Sequence, residues 1–287
     1  METLGHALQQ GARYLRHHKV DGPRLSAELI LGHVLGISRL ELILGQDKIV
    51  AKKELHKAWT MLHLRARGCP LAYILGFKEF YGLDFFVNKG VLIPRPETEL
   101  ILDLVQDFLD PAQELFFADV GTGSGALGIT FLTLFPRTKG LLLDISSTAL
   151  EVARQNASKH QMLCRCLLAR EDLGSALKPG SLDLVLANPP YLSSSDMAVL
   201  SREIKDFEPE LALWGGFQGQ EMALDLVQNI WPGLKPGGLC LLEAAPRQIA
   251  NVLQAEELYR LQGLCVEVHK DLADKDRVLV LHKVCDK

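Results

Sequence analysis

The chain is predicted to be an α/β protein, with a mostly parallel sheet wrapped by helices, an antiparallel closing strand, and a small helical bundle in front. Three observations predict this. From Leu115 onward, short apolar runs alternate with segments of helical period. The last two apolar runs, Leu264 to His269 and Arg277 to Leu281, leave no room for a crossover helix and should pair antiparallel. Residues 1 to about 68 carry helical periodicity alone.

Leu4, Ala7, Leu8 and Ala12 form one helical stripe, and Leu25, Leu29, Ile30, Val34 and Leu35 form a second after Pro23. Pro23 suits a first helical position because its missing N–H costs nothing there. Gly36 and Ser38 precede a short helix at Leu40 to Leu44, and Lys52 to Arg67 supplies another; short links between them make a bundle. From Pro70 the pattern changes. Phe77, Phe80, Phe85, Phe86 and Val87 flank Tyr81-Gly82, which predicts a hairpin. Val91 to Ile93 then lead into Pro94-Arg95-Pro96-Glu97-Thr98-Glu99. Arg95, before a proline, should be extended, with a helix opening at Pro96 and Glu97 and Glu99 in its first turn. Arg95 is expected to pair with one of those two carboxylates; the alternatives are that it contacts the substrate protein or braces the site from the hinge. The domains are therefore residues 1–75 (helical), 76–96 (hairpin linker) and 97–287 (α/β).

Within the α/β part, strands are expected at Leu115 to Val120, Gly140 to Leu143, Leu163 to Leu168, Leu182 to Ala187 and Leu239 to Leu242. Helices are expected at Ala126 to Phe135, Thr148 to His160, Met222 to Trp231 and Ile249 to Leu258. Lys235-Pro236-Gly237-Gly238 reads as a turn.

Composition bounds the function. With 48% hydrophobic and 23% charged residues in 287, this reads as an ordinary globular chain, and neither a membrane span nor a secretory leader is expected. Its six cysteines form no C-x-x-C pair, and Cys164 and Cys166 would share one strand face; reduced thiols in the cytoplasm are expected. A mitochondrial matrix location is the alternative if a targeting segment has been removed. Up to Arg95 there are 14 Lys and Arg against 8 Asp and Glu; beyond it the balance reverses to 17 against 27. Six of the nine histidines also lie in the basic front, but none has ligand spacing, so no metal is expected. Opposite charge in the two parts suggests different partners.

Two motifs carry chemistry. Asp119-Val120-Gly121-Thr122-Gly123-Ser124-Gly125 follows the first strand of the sheet and opens a helix, and Asp144 ends the next strand. Glycines let a ligand approach the chain closely, and a carboxylate at the end of the second strand can take ribose hydroxyls. Gly121-x-Gly123-x-x-Ala126 also satisfies a dinucleotide pattern, so a nicotinamide dehydrogenase survives on this segment alone. The second motif is Asn188-Pro189-Pro190-Tyr191, directly after a strand. Proline is a poor continuation for a ladder. As a pocket the four residues make sense: the Asn188 side-chain carbonyl and the Pro189 backbone carbonyl can accept two N–H groups of a planar nitrogen, with Tyr191 against its face. Together with Asp119 and the antiparallel closing pair, this marks a Rossmann-like class I methyltransferase sheet using S-adenosyl-L-methionine. Asp119 suits the cofactor's cationic amino acid end and would repel a pyrophosphate.

The chain resembles the release-factor glutamine methyltransferase family (HemK/PrmC). The matching segments are Leu92 to Glu99, Gly121 to Gly125, Asp144-Ile145-Ser146, Asn188 to Tyr191, and Glu208-Pro209 with Ala212-Leu213 and Gly215-Gly216. The similarity runs from about Pro23 to about Leu281. It implies that Asp119, Gly121, Thr122, Gly123, Ser124, Gly125, Asp144, Asp172, Leu173 and Asn188 hold S-adenosylmethionine. Asn188, Pro189, Pro190 and Tyr191 would hold a substrate glutamine, with Asn188, Pro189 and Tyr191 as its catalytic residues. Leu173 stands where bacterial relatives often carry an aromatic, Glu243-Ala244-Ala245 where the family tends to Glu-Ile-Gly, and Asp274-Lys275-Asp276 where a glycine turn is usual. The implied partners are peptide-chain release factors, met by a monomer with no membrane and no stable nucleic acid. Three rivals are weighed against this: an adenine amino-methyltransferase, a glutamine methyltransferase acting on a ribosomal protein, and a non-catalytic binding module.

Overall fold

In the computed structural model, which describes residues 2–284, the helical stripes of the front become packed helices. These are α1 (Leu4–His17), α2 (Pro23–Leu35), α3 (Arg39–Leu44), α4 (Lys52–Ala66) and α5 (Leu71–Leu75). Leu4, Leu8, Leu15, Ile30, Leu31, Leu42 and Leu62 bury their side chains in one core. Two-residue strands β1 (Glu2–Thr3) and β2 (Ile49–Val50) pair antiparallel beside it. Neither these strands nor α5 is legible as periodicity, since two to five residues are too few to repeat.

The chain divides into two units. One runs up to Phe77 and takes in Ser201–Phe207; the other holds Lys78–Leu200 and the described residues from Glu208 onward. In the first unit, Arg65 donates to the Cys69 carbonyl and pairs with Glu203 at 2.9 Å.

A hairpin, β3 (Phe77–Phe80) and β4 (Leu83–Phe86), closes through the two-residue turn Tyr81-Gly82, at φ +50° and +77°. Both positive angles are what a right-twisted hairpin asks of such a turn. Tyr81 tolerates its position with outside help: its N–H donates to Glu99 Oε1 and its hydroxyl to Asp103. Pro96–Thr98 make a single 3-10 turn before α6 (Glu99–Phe108).

The sheet of the second unit has seven strands: β5 (Phe116–Val120), β6 (Lys139–Asp144), β7 (Cys166–Arg170), β8 (Leu182–Ala187), β9 (Leu234–Glu243), β10 (Leu264–Lys270) and β11 (Asp276–Lys283). Their order is β10-β11-β9-β8-β5-β6-β7. β5 to β9 run parallel, and β11 lies antiparallel between β9 and β10. One face packs Phe117, Phe131, Phe135, Leu184 and Leu186 with α6 and α7 (Ala126–Leu134); the other packs Val185, Leu226, Ile230 and Leu242. The chain builds outward from β5 on one side through β6 and β7, then crosses to β8. Ligands of such sheets bind outside the carboxyl ends of the strands at this reversal.

Several boundaries differ from the sequence reading. The strand expected at Leu163 begins at Cys166, because Arg165 is still in a turn; its guanidinium donates to the carbonyls of Leu132, Phe135 and Pro136. Cys164 is therefore exposed and off the strand, while Cys69, Cys166, Cys240 and Cys265 are also free thiols. Cys285 lies outside the described residues. Lys235 to Gly238 belong to β9, which runs from Leu234 with an irregular register against β8. The last helix breaks at Ala255 into Pro246–Gln254 and Glu256–Tyr259. Among the described residues no helix is long and apolar enough to cross a membrane.

Candidate active site

The carboxyl ends of β5, β6 and β8 deliver Asp119, Asp144 and Asn188 to one place, as adjacent register requires. After β5 the chain turns through Gly121, Gly123 and Gly125, at φ +74°, +55° and +81°. Three left-handed residues in five confine this turn to glycine. Gly125 caps α7, and a Cβ there would meet Ile129 Cδ1 at 2.7 Å. The buried Asn156, on α8 (Ser147–Lys159), donates to the Ser124 carbonyl at 2.8 Å and exchanges two hydrogen bonds with the Phe86 backbone. One side chain thus fastens both the glycine turn and the hairpin.

The turn is fastened from beneath as well. Asp119 is 1% exposed, and its Oδ2 accepts from the Thr122 hydroxyl at 2.6 Å and the Gly128 N–H at 3.0 Å. Burial pushes its carboxyl up to about 7. Asp144 accepts the Gly123 N–H on Oδ2 and the Ser146 N–H on Oδ1, both at 2.9 Å; burial raises its pKa too.

These residues wall a cleft of about 810 Å³, open mouth included. Its lining includes Asp144, Ile145, Asp172, Leu173, Leu92 and Asn188, with Val91, Pro190 and Met222 adding to the apolar part. Glu171, next to Asp172, is spent on its own loop, accepting from the Gly174 and Ala176 N–H groups and the Ser175 hydroxyl. A smaller cavity is lined by Asp119, Thr122, Ser124, Arg95 and Thr98. Gly121, Gly123, Leu92 and Asn188 line both. The residues fit a nucleoside with a cationic tail: carboxylates at the strand ends for hydroxyls, an apolar wall at Leu173, and a buried carboxylate at the tail. The Gly121 and Thr122 N–H groups are already given to the Leu143 carbonyl and the Gly123 N–H to Asp144, so they are not held ready for a pyrophosphate.

Pro189 and Tyr191 do not line either cavity. Tyr191 points its hydroxyl at Glu243 Oε1, at 3.5 Å, and burial with the nearby Glu243 carboxylate holds its phenol well above the usual range. The loop beyond is zipped to it: Leu192 and the stretch from Leu213 to Gly215 exchange two backbone hydrogen bonds at 2.9 Å. A Cβ on Gly219 would strike the Tyr191 carbonyl at 2.5 Å.

Sequence reasoning missed two residues of this neighbourhood. Asn188 Nδ2 donates to Thr98 Oγ1 at 2.9 Å, and the Thr98 hydroxyl donates to Glu243 Oε2 at 2.6 Å. Glu243 is 0% exposed, and burial raises its carboxyl to about 7. The only hint was that Thr98 sits in a segment carrying the family resemblance, and that Glu243 stands where the family tends to Glu-Ile-Gly. Arg95 pairs with neither Glu97 nor Glu99. It meets the buried Glu208 at 2.5 Å, and Glu99 instead accepts from Tyr81.

Comparison with known proteins gives the same picture. Residues 6–76 match the PrmC N-terminal domain, and residues 98–215 match the methyltransferase small domain. A release factor glutamine methyltransferase of Nitratidesulfovibrio vulgaris is 40% identical over 96% of this chain and 94% of its own. One from Moorella thermoacetica is 35% identical over 98% and 99%. Among solved structures, a methyltransferase from Pyrococcus furiosus superposes with a TM-score of 0.53 at 21% identity, covering 72% of this chain and 92% of that one, which speaks for the fold alone. With the helical front matching that family's N-terminal domain and relatives 35–40% identical across nearly the whole chain, the chain belongs to the release factor glutamine methyltransferase family.

Proposed function

We propose that this chain methylates the side-chain amide nitrogen of a protein glutamine, that of the Gly-Gly-Gln motif of peptide-chain release factors, using S-adenosylmethionine. The observation that carries the reading is the position of Asn188 in the wall common to both cavities, one residue beyond the end of β8. S-adenosylmethionine, when bound, supplies a methyl group already activated on a sulfonium. The protein's task is then alignment, which can contribute ~7–11 kcal/mol.

Asp144 and Asp172 hold the ribose and adenine side, Leu173 covers the base, and Asp119 faces the cationic amino acid end, with Gly121 to Gly125 allowing close approach. Asn188 Oδ1 and the Pro189 carbonyl accept the two amide hydrogens of the glutamine. They also stabilise positive charge as it develops on the nitrogen. Pro190 shapes the cleft wall. Tyr191 forms the flat side of the acceptor position, and its raised pKa keeps it neutral. No strong base is needed, because the proton can leave after transfer.

The helical front is the element we assign to recognition of the substrate protein, acting as a monomer in the cytoplasm without stable nucleic-acid binding. Its basic composition suits an acidic partner surface. Labelled S-adenosylmethionine offered with a release factor, with ribosomal protein and with DNA tests the reading. Label on the release factor that vanishes when its Gly-Gly-Gln glutamine is replaced supports it; label on DNA defeats it.

A further inference from the structure

We propose that Glu243 is a positioning residue: through Thr98 it decides which end of the Asn188 amide faces the methyl acceptor. The inference rests on the glutamine reading above and deepens it.

An asparagine side chain has an acceptor on one side and a two-proton donor on the other, in nearly the same shape. Packing cannot choose between its two orientations. Chemistry must, because a glutamine NH2 group can donate only to the oxygen end. Two NH2 groups facing each other would repel.

The choice is made two residues away. An ionised carboxylate only accepts hydrogen bonds. The Thr98 hydroxyl has one proton and gives it to Glu243 Oε2, at 2.6 Å. Only lone pairs of Oγ1 then remain for Asn188, so the nitrogen end turns toward Thr98, at 2.9 Å. Oδ1 is left for the substrate. The same carboxylate receives Tyr191, with Oε1 3.5 Å from the phenol oxygen, so both acceptor-side residues are referred to one buried anion.

Its placement is costly. Glu243 is 0% exposed at the end of β9, and a charge buried there is a poor choice for stability alone. The groups facing it are Thr98, Tyr191, the positive Arg277 and the negative Glu97. Arg277 offsets the charge only in part, because its guanidinium donates to Asp271. If Glu243 gains a proton, it can donate to Thr98, and the Thr98 proton is then free to turn toward Asn188 Oδ1. The wrong orientation becomes available.

The test uses the full chain with a release factor and labelled S-adenosylmethionine, and follows kcat, KM and cofactor affinity by calorimetry on the same preparations. Glu243→Gln and Thr98→Val should each lower kcat about tenfold or more, the ratio that goes with the loss of one hydrogen-bond-sized preference. KM and the cofactor Kd should stay within about threefold, which also shows that the variants are folded. Thr98→Ser, which keeps the hydroxyl, should restore kcat. The double variant should be no worse than the worse single one, because both break one relay. Wild-type kcat should fall as pH drops below about 7, and Glu243→Gln should flatten that limb. Undiminished kcat in Glu243→Gln would overturn the relay, as would additive losses in the double variant. Failure of the wild-type chain to label any glutamine would sink the glutamine reading and the relay with it.

Discussion

Arg95 and Glu208 lie 113 residues apart and meet at 2.5 Å, while the Ile93 N–H donates to the other oxygen of the same carboxylate. The Glu208 carboxylate is 2% exposed and the Arg95 guanidinium 29%. The pair ties the extended segment before α6 to the loop that follows the acceptor tetrapeptide. Arg95→Ala leaves a buried carboxylate with one N–H donor, and should cost about 2–4 kcal/mol. Removing Glu208 as well should restore part of that loss. Urea unfolding of the two single variants and the double one checks this; equal, additive losses would mean the pair is not coupled.

Asn188→Ala should lower kcat by about 100–1000-fold, the usual scale for removing one group that stabilises transition-state charge. Cofactor affinity should hardly change. Asp144→Ala should do the reverse, weakening the cofactor first and disturbing the Gly123 N–H and Ser146 N–H that its carboxylate now holds. Calorimetry beside turnover separates the two effects, and a loss of cofactor binding in Asn188→Ala would contradict the assigned roles.

Asp119 gives pH a double effect. Its carboxyl is raised by burial from 3.8 to about 7, so the folded chain holds that proton more tightly than the unfolded one. The stability it contributes is complete below about pH 4 and is lost as pH rises through about 7. Cofactor affinity moves the opposite way, since a cationic tail prefers the ionised form. Affinity should improve by about tenfold from pH 6 to pH 8, with a proton released on binding. Asp119→Asn should lack both the pH-dependent affinity and the proton release, which calorimetry in buffers of different ionisation heat will show.

Gly90 lines the donor cleft, and a Cβ there would sit 2.4 Å from Thr148 Cγ2. Gly90→Ala should therefore cost about 1–3 kcal/mol by overpacking and disturb that part of the cleft wall. Thr148→Ala removes the offending methyl and should rescue most of the loss. If the rescue fails, the clash is not the reason for glycine at this position.

The sequence was most informative where structure is local. Leu182 to Ala187 reads as a strand because it is buried on both faces, and the glycine turn reads as a ligand loop because its neighbours in sequence are its neighbours in space. The start of the strand expected at Leu163 was misplaced for the opposite reason. Apolar Leu163 and Cys164 suggested pairing, while Arg165 keeps the chain turned to reach carbonyls in and just after α7. Arg95 misled in the same way, because adjacent carboxylates were the visible partners and Glu208 was not. Thr98 and Glu243 could not be found by spacing at all, since nothing in a linear pattern marks a hydroxyl and a carboxylate 145 residues apart as partners.

That long-range join also has a consequence for how the enzyme comes into being. Most of the donor side, from Asp119 to Leu173, is a contiguous run of strand, turn and helix. The acceptor side waits for Thr98, Asn188 and Glu243 to be gathered over separations of 90 and 145 residues. Loops that long close late and at greater entropic cost. A partly folded chain, or one still emerging from synthesis, would thus acquire its grip on the methyl donor before any means of presenting a glutamine to it. Chemistry becomes available only when β9, nearly the last part of the sheet, has come home.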